Sequence, residues 1–578
     1  MPDTVKTTIS LGRFHSSHAT LLKDMERAHF SRRLWGRDPT LWKKSPGHKK
    51  IIRNSLGWLT VPALMKGRLK GLDVFSRSIK DSGFSCVLLL GMGGSSIAPL
   101  VFSKTFGPRR GRPRLLVLDS TSPDSIKRVE GLIDPAKTLF IVASKSGATI
   151  EVSSLFDYFY DMVEKRKGKD AGRNFIAITD PDTPLAGLSA ERGFISTFLN
   201  PPDIGGRYSA LSYFGLVPAS LTGMDVGRLL SSAIGMSHAC SPKVRESQNP
   251  AVMLGCALGL MAREGKNKVT FFLDPEVSSF GLWIEQLISE SVGKEGKGLI
   301  PVVGEPIGAP SDYGPDRVFI SIGLKGGNRI SRTFDGLRAA GYPALTFELQ
   351  DRYALGGEFF RWEAATAALG AILKVNPFDQ PDVEGAKKRA RGYIESIGQR
   401  RGYGAGGFSA GEGKLGLSFG KSRMKVRGKQ LNAKGLLKKF AGLLKKDAYI
   451  AVLSYLDPED GFFSGALTSM RVFLRDRTKA ATQFGYGPRY LHSTGQLHKG
   501  GPRNGLFIII AHGMGEGEED VRIPARRYSF GELLFSQALG DMEALDGKGR
   551  PVVLFNLGNA SRRCLKEVFK LIKDAFKG

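Results

Sequence analysis

The sequence predicts an α/β protein with tandem doubly wound parallel-sheet domains and an additional C-terminal α/β domain. Its 578 residues exceed what a single hydrophobic core usually serves, so more than one domain is expected. Short continuous apolar runs, each followed by Gly, Ser or Asp and then by an amphipathic stretch, are typical of parallel strands buried on both faces. A second cycle of this kind starts near Asn249, and a Gly-rich break at 398–416 precedes a third segment.

The elements follow in chain order. Residues 1–54 are basic and contain Trp, and we expect a packed arm rather than a domain. Residues 55–245 hold the predicted strands CVLLLG, RLLVLDS, TLFIVAS and NFIAITD, and form the first domain. Residues 246–398 hold the strands KVTFFLD and RVFISIG and the long helix GEFFRWEAATAALGAILKV, and form the second. In residues 399–578, NGLFIIIAHGMG echoes DRVFISIGLKGG and RRYSFGELLF echoes DRYALGGEFF, which predicts a partial repeat of the second domain.

Composition and charge narrow the class of protein. With 41% hydrophobic and 24% charged residues, the chain is typical of soluble globular proteins. The net charge of +29 attracts anions, and residues 387–446 carry 17 Lys and Arg against only Glu395 and Glu412. A solvated basic surface is the favoured interpretation. Nucleic-acid binding stays open only as a non-specific activity, because the basic segment lacks interleaved aromatic residues.

The cysteines and the apolar runs indicate the cellular compartment in which the protein is expected. Four cysteines lie far apart with no CxxC pair, which argues against a disulfide framework and favours a reducing compartment. The longest apolar runs are too short to span a bilayer, and the N-terminus lacks an apolar signal region. We therefore expect a cytoplasmic protein that does not enter membranes.

Two polar loops follow predicted strands. In GMGGSS (Gly91–Ser96), glycines allow close backbone approach and the next helix start offers free N–H groups to an anion. The loop is not GxGxxG, which disfavours a dinucleotide, and a simple tight turn is the alternative. In SKSGATIE (Ser144–Glu151), hydroxyls and a lysine gather where a helix begins, as a phosphate monoester requires. A well-capped helix is the alternative there.

Two further motifs bring charge to the same predicted region. In IEQLISESVGKEGKG, Gln286 and Glu290 share a helix face that runs into a Gly/Lys turn, which suits a general base. The alternative is a solvated Glu290 paired with Lys294. Arg207 in GGRYSALSYFG lies in a Gly turn, where it can neutralise a developing oxyanion or pair structurally with a carboxylate.

The stretch YLHSTGQLHKGG contains two of the chain's eight histidines, His492 and His498. Their spacing of six, with no carboxylate or cysteine nearby, matches no common metal-ligand pattern. A metal site is therefore disfavoured, and catalysis or a plain loop remains.

Taken together, GMGGSS, SKSGATIE, GGRYS, EQLISESVGKEGKG and NPFDQPDVEGAKK occur in the order seen in glucose-6-phosphate isomerases, which are built from two sugar-isomerase (SIS) domains. The resemblance covers about 55–398 and is strongest to the isomerase half of bacterial transaldolase/isomerase fusions. It implies tandem SIS-type domains, a sugar-phosphate substrate, and neither a cofactor nor a metal. A homodimer or a monomer is expected.

By position in these motifs, the resemblance implies roles for individual residues. Substrate binding falls to Gly94, Ser95, Ser144, Lys145, Ser146, Thr149, Gln286 and Gln380. Glu290 resembles the base that moves a proton between C2 and C1, and Arg207 resembles the arginine that stabilises the cis-enediolate. Lys387 resembles the family's active-site lysine. It lies seven residues after Gln380, which is two helical turns, so both side chains can face one site.

The family's ring-opening histidine lies in an LHSMGQ-type motif soon after the glutamate loop, and the partner subunit supplies it. Here the corresponding place reads GEPIGAPSDYGPD and has no histidine, whereas LHSTGQ occurs at 491–496. His492 therefore resembles that histidine, displaced to the third domain, and we expect it to act within its own chain. The alternatives are a non-catalytic sugar-phosphate regulator and an isomerase that also accepts mannose 6-phosphate.

Overall fold

The computed structural model describes residues 5–327, 331–395, 408–412, 415–424, 432–513, 520–558 and 561–577. These residues form three α/β units, each built on its own sheet, and an N-terminal arm. The arm comprises β1 (Val5–Ser10), α1 (His15–Arg27), α2 (Phe30–Trp35), α3 (Pro46–Arg53) and α4 (Val61–Asp81). Its Trp35 and Trp42 indoles donate to the carbonyls of Cys240 and Ala367, at 2.9 and 2.8 Å, so the arm packs on the body of the chain.

The first unit has a fully parallel sheet in the order β3-β2-β4-β5-β6. Its strands are β2 (Cys86–Gly91), β3 (Arg114–Leu118), β4 (Thr138–Ala143), β5 (Phe175–Thr179) and β6 (Ser196–Leu199). Its helices are α5 (Ile97–Phe106), α6 (Pro123–Glu130), α7 (Ile150–Lys167), α8 (Pro184–Glu191), α9 (Tyr213–Leu221) and α10 (Val226–Ala239). Strands β2 and β4 are buried along their whole length, as their continuous apolar runs predict.

The second unit has the sheet order β1-β10-β9-β7-β8, in which β1 is antiparallel to β10. Its own strands are β7 (Lys268–Leu273), β8 (Ile300–Val303), β9 (Arg317–Leu324) and β10 (Ala344–Leu349). Its helices are α11 (Pro250–Arg263), α12 (Phe280–Val292), α13 (Ser331–Ala339), α14 (Leu355–Leu373) and α15 (Glu384–Glu395). The N-terminal arm thus completes the edge of this sheet.

The third unit has the sheet order β11-β12-β16-β15-β13-β14. Its strands are β11 (Phe408–Glu412), β12 (Leu415–Phe419), β13 (Tyr449–Tyr455), β14 (Ala481–Tyr486), β15 (Gly505–Ala511) and β16 (Val552–Asn556). Its helices are α16 (Ala433–Ala441), α17 (Gly461–Thr478), α18 (Gly495–Gly500), α19 (Phe530–Gly547) and α20 (Ser561–Ala575). Within the described residues, no helix combines the length and apolarity needed to cross a membrane.

The second and third units share one topology. The parallel strands run β8-β7-β9-β10 in the second and β14-β13-β15-β16 in the third, and an antiparallel strand closes the same edge of each. The first unit repeats the order as β3-β2-β4-β5. The predicted fold class is therefore confirmed. The first sequence echo falls on equivalent strands, β9 and β15, whereas the second falls on α14, which follows β10, and on α19, which precedes β16. The exact domain boundaries remain a prediction.

The third unit packs against both others. Apolar side chains of β8 join those of β13 and β14 in one core cluster, and Phe530 and Leu533 of α19 enter the core beside α7. A fully buried ion pair, Arg317–Glu305 at 3.1 Å, lies where the second unit meets β14, and Thr482 donates to the same carboxylate. Burial opposes ionisation of Glu305, but Arg317 and Arg471 outweigh it and hold its pKa below the usual value. These contacts fix the third unit beside the ends of β2, β4 and α12.

Candidate active site

A cavity of about 810 Å³ lies where the three units meet. Residues from the first unit that line it include Gly94, Ser95, Lys145, Ser146, Thr149 and Arg207. The second unit contributes Gln286, Glu290 and Gln380, and the third contributes His492, Lys499 and Gln537. The structure thus brings together residues that lie up to several hundred positions apart in the chain.

The GMGGSS loop forms one wall because its glycines permit close packing. A Cβ on Gly94 would lie 2.1 Å from the carbonyl oxygen of Gly206, in the turn that carries Arg207. Gly93 has a positive φ of 56°, and a Cβ there would lie 2.8 Å from the carbonyl oxygen of His492. Ser95 is buried at the cavity wall, one residue before the cap of α5. Glycine is therefore required for three segments to converge here.

The SKSGATIE loop lies between β4 and α7, as predicted. Ser146 and Thr149 line the cavity, whereas Ser144 is buried behind them and bonds Thr149 Oγ1 at 3.0 Å. Lys145 pairs with Asp180 and donates to the Pro202 carbonyl at 3.1 Å. Burial raises the pKa of Asp180, although Lys145 opposes the shift. The loop therefore presents hydroxyls, one lysine and the start of a helix to the cavity.

Glu290 lies on α12 and is buried against Arg207. Arg207 Nη1 donates to Glu290 Oε2 at 3.2 Å and to Gln380 Oε1 at 3.0 Å, and its Nε donates to Ser291 Oγ at 2.8 Å. Burial raises the pKa of Glu290, while the charges of Arg207 and His492 partly oppose the shift. A carboxylate with a raised pKa is a stronger base, so this environment prepares Glu290 to accept a proton.

The alternative interpretation of a solvated Glu290 paired with Lys294 is wrong. Lys294 lies beyond the end of α12 and bonds the Asn376 carbonyl at 2.7 Å and Asp379 Oδ1 at 2.8 Å. It is buried, and mainly for that reason its pKa falls to about 8. Glu290 is thus left to face the cavity and Arg207.

His492 lies in a short 3₁₀ turn, Arg489–His492, of the third unit. Its Nε2 lies 2.9 Å from Glu151 Oε1, and Gln286 Nε2 donates to its carbonyl at 2.8 Å. Arg489 anchors the start of the turn through two bonds to Asp119, at 2.7 and 2.6 Å. The structure therefore places His492 in the same cavity as Glu290 within one chain.

The second histidine of the same stretch has a structural setting. His498 is buried, its Nε2 lies 2.6 Å from Gln483 Oε1, and it does not line the cavity. Burial holds its pKa well below the usual value. Of the two histidines, only His492 is in a position to meet a bound substrate.

The prediction that Gln380 and Lys387 lie two turns apart on one helix is wrong. The helix α15 starts at Glu384, so Gln380 lies in the loop before it, where Arg207 holds the side chain. The backbone at 387 belongs to α15, and Arg391 and Ile394 of this helix line the cavity. The side chain of Lys387 lies outside the part of the chain that the structure describes.

Glu151 and Gln537 are among the polar residues of the cavity that sequence reasoning missed. Glu151, in the first turn of α7, accepts from His492 and from Gln537 Nε2, the latter at 2.7 Å. In the sequence, Glu151 is an acidic residue at the predicted start of a helix, beside the loop expected to bind phosphate. A carboxylate at a helix start also stabilises the helix by itself, so this position alone did not indicate a functional residue. Gln537 carries no local signal, because its partner is 386 residues away.

The chain is similar in sequence to known proteins. Residues 75–299 match the phosphoglucose isomerase family model. A glucose-6-phosphate isomerase from Carboxydothermus hydrogenoformans is 28% identical over 401 residues, which cover 59% of this chain and 85% of that protein. One from Rubrobacter xylanophilus is 28% identical over 392 residues, covering 58% and 89%.

Two solved structures share the fold. A glucose-6-phosphate isomerase from Chlamydia trachomatis has a TM-score of 0.51 and 19% identity, with 69% of this chain and 90% of that chain covered. A hypothetical protein from Thermus thermophilus has a TM-score of 0.57 and 24% identity, with 67% and 99% covered.

The α/β fold of this chain is that of these two solved structures, one of which is a glucose-6-phosphate isomerase. In sequence, the chain is similar to the glucose-6-phosphate isomerases, which are aldose–ketose isomerases. The resemblance predicted from the five motifs is thereby confirmed. The family match includes Arg207 and Glu290 and ends before Gln380, Lys387 and His492.

Proposed function

We propose that this protein interconverts glucose 6-phosphate and fructose 6-phosphate through a cis-enediolate, with Glu290 as the base. One observation carries the proposal: a buried carboxylate, paired with Arg207, shares a cavity with a histidine–carboxylate pair. Both groups lie beside a loop of hydroxyls at a helix start. Binding alone would not call for a base in this environment, which disfavours the non-catalytic regulator.

The phosphate is bound at the end of the cavity formed by the first unit. Ser95, Lys145, Ser146 and Thr149 line that end, and the first turn of α7 adds its partial positive charge. Ser144 supports Thr149 from behind, and Gly94 allows the loop to approach. Binding the phosphate away from the reacting carbons leaves the other end of the sugar free to change shape.

Ring opening requires a proton to leave the anomeric hydroxyl, on C1 of glucose 6-phosphate or C2 of fructose 6-phosphate, and another to reach the ring oxygen. His492, oriented by Glu151, is placed to transfer one of these protons, and the resemblance implies that Lys387 takes part in the other transfer. The carboxylate of Glu151 fixes the imidazole and stabilises its charged form. Net charge and atom count are unchanged by this step.

In the open chain, Glu290 removes the proton from C2 and returns it to C1, while a proton moves between the two oxygens. The negative charge that develops on those oxygens is stabilised by Arg207, which is already held in place by Ser291 and Gln380. Gln286 lies one turn from Glu290 on the same helix and also lines the cavity. No redox step and no added group is needed for this exchange of protons.

The proposal is tested by measuring conversion of fructose 6-phosphate to glucose 6-phosphate, without added metal, for the wild type and Glu290→Gln. In this direction the base removes a proton from C1 of the ketose. Because the amide cannot accept that proton, we expect a loss of kcat of about 10²- to 10⁴-fold. Glu285→Gln makes the same change at a buried glutamate of α12 that does not line the cavity, and this matched control should retain most of the activity. Sugar-phosphate binding without turnover by the wild type would contradict the proposal and favour a regulator.

We also propose that each chain holds one complete site and that the protein is cytoplasmic. The location rests on the sequence-based expectation of a reducing compartment, and the four cysteines are free and buried. Oligomeric state does not enter the mechanism, because every described group used above comes from one chain.

A further inference from the structure

Gln537 is a buried glutamine on α19 that lines the cavity from the third unit. Most of its neighbours along this helix belong to apolar core clusters. A buried primary amide is costly unless its polar atoms find partners. Such a residue in a core helix therefore needs a reason beyond packing.

Gln537 and His492 bind the same carboxylate oxygen. Its Nε2 donates to Glu151 Oε1 at 2.7 Å, and the same oxygen accepts from His492 Nε2 at 2.9 Å. One carboxylate oxygen thus receives two donors, one from α19 and one from the 3₁₀ turn. Both donors belong to the third unit, whereas the carboxylate belongs to the first.

The orientation of the amide is fixed from its other end. Thr121 Oγ1 donates to Gln537 Oε1 at 3.3 Å, so the NH₂ group must point at Glu151. Thr121 is fully buried, so bulk solvent does not compete for this bond. The amide is uncharged, so it holds Glu151 in one rotamer while leaving the negative charge available to the imidazole.

We propose that Gln537 is a positioning residue for ring opening: it fixes the Glu151 carboxylate that orients His492. The inference rests on the proposed function. It predicts that Gln537 matters only when the substrate enters as a ring, because the proposed transfer between C2 and C1 uses Glu290 and Arg207 rather than the His492–Glu151 pair. A residue that merely stabilised the fold would affect every substrate alike.

The test compares two ketose substrates. Fructose 6-phosphate is mostly cyclic, whereas 5-deoxyfructose 6-phosphate lacks the hydroxyl that closes a five-membered ring and stays open. Gln537→Met keeps the length of the side chain and removes the donor. We expect kcat for fructose 6-phosphate to fall about 10- to 100-fold, as for loss of a hydrogen bond to a charged group. The rate with 5-deoxyfructose 6-phosphate, followed by proton NMR, should change less than about twofold.

Two further variants make the result specific. Gln483→Met makes the same change at a buried glutamine of β14 that does not line the cavity. In this variant, the ratio of the rate with fructose 6-phosphate to the rate with 5-deoxyfructose 6-phosphate should stay at the wild-type value. Thr121→Val removes the hydroxyl that orients the Gln537 amide. It should also lower this ratio, but by a smaller factor than Gln537→Met does. In a His492→Ala background, Gln537→Met should cause no further loss, because both changes act through one group.

Equal losses with both substrates, a raised KM for both, or a loss that adds to that of His492→Ala would overturn the inference. Failure of the proposed function looks different, since the wild type would then convert neither substrate. A wild type active on both, with an unchanged ratio in Gln537→Met and Thr121→Val, would refute only the role of Gln537.

Discussion

At the scale of single residues, the proposed function assigns two kinds of proton transfer to two different pairs of side chains. Glu290 is paired with a cation, Arg207, whereas His492 is paired with a carboxylate. The first pair suits removal of a carbon-bound proton with support for the resulting oxyanion. The second suits the exchange of protons with oxygen atoms of the substrate.

This division predicts different substrate profiles for two variants. His492→Ala should lower kcat/KM for fructose 6-phosphate by about 10²-fold, the scale of a lost general acid or base, because ring opening loses its catalyst. It should leave 5-deoxyfructose 6-phosphate nearly unaffected, whereas Glu290→Gln should abolish turnover of both. Steady-state rates with the two substrates provide the measurement. An equal loss for both substrates in His492→Ala would assign the histidine to the transfer between C2 and C1 instead.

At the scale of secondary structure, α12 joins the site to the domain interface. It carries Gln286 and Glu290 towards the cavity, while Glu285 is buried near Arg471 of the third unit. Burial raises the pKa of Glu285 from 4.5 to about 8, although Arg471 opposes the shift. The folded protein therefore keeps a proton at this position that the unfolded chain releases above its ordinary pKa.

The sign of the resulting pH dependence follows. The contribution of Glu285 to stability is complete below pH 4.5 and is lost as pH rises through about 8, because the unfolded state binds fewer protons in that window. We expect the free energy of unfolding of the wild type to fall more between pH 5 and 8 than that of Glu285→Gln. Urea unfolding at both pH values measures this, with the exposed Glu264→Gln as control. Identical pH slopes for the wild type and Glu285→Gln would show that Glu285 is ionised in the fold.

The sequence predicts elements whose signal is local. The buried strands, the loops that follow β2 and β4, and the helix that carries Gln286 and Glu290 were all recognisable from apolar runs and helix-start residues. The pairing of His492 with Glu151 was not, because the two residues are 341 positions apart. The start of α15 at Glu384 was also misjudged, since Pro381 directly follows Gln380 and disfavours a helical backbone at that glutamine.

At the scale of the whole molecule, the third unit forms one wall of the candidate site. It holds His492 in place through an ion pair, Arg489–Asp119, and presents Gln537 to the same carboxylate that orients the histidine. A second ion pair, Arg128–Asp457 at 2.9 Å, joins the first and third units nearby. A chain with three units of one topology can thus surround a substrate by itself.

The central claim, that one chain forms a complete site, is tested most directly by complementation. Glu290→Gln and His492→Ala are co-expressed and copurified, and conversion of fructose 6-phosphate is measured. If each site lies within one chain, every site carries one defect and the activity equals the average of the two variants. If neighbouring chains shared their sites, half of the dimers would be mixed and one of their two sites intact. Recovery of about a quarter of the wild-type activity would therefore contradict the claim.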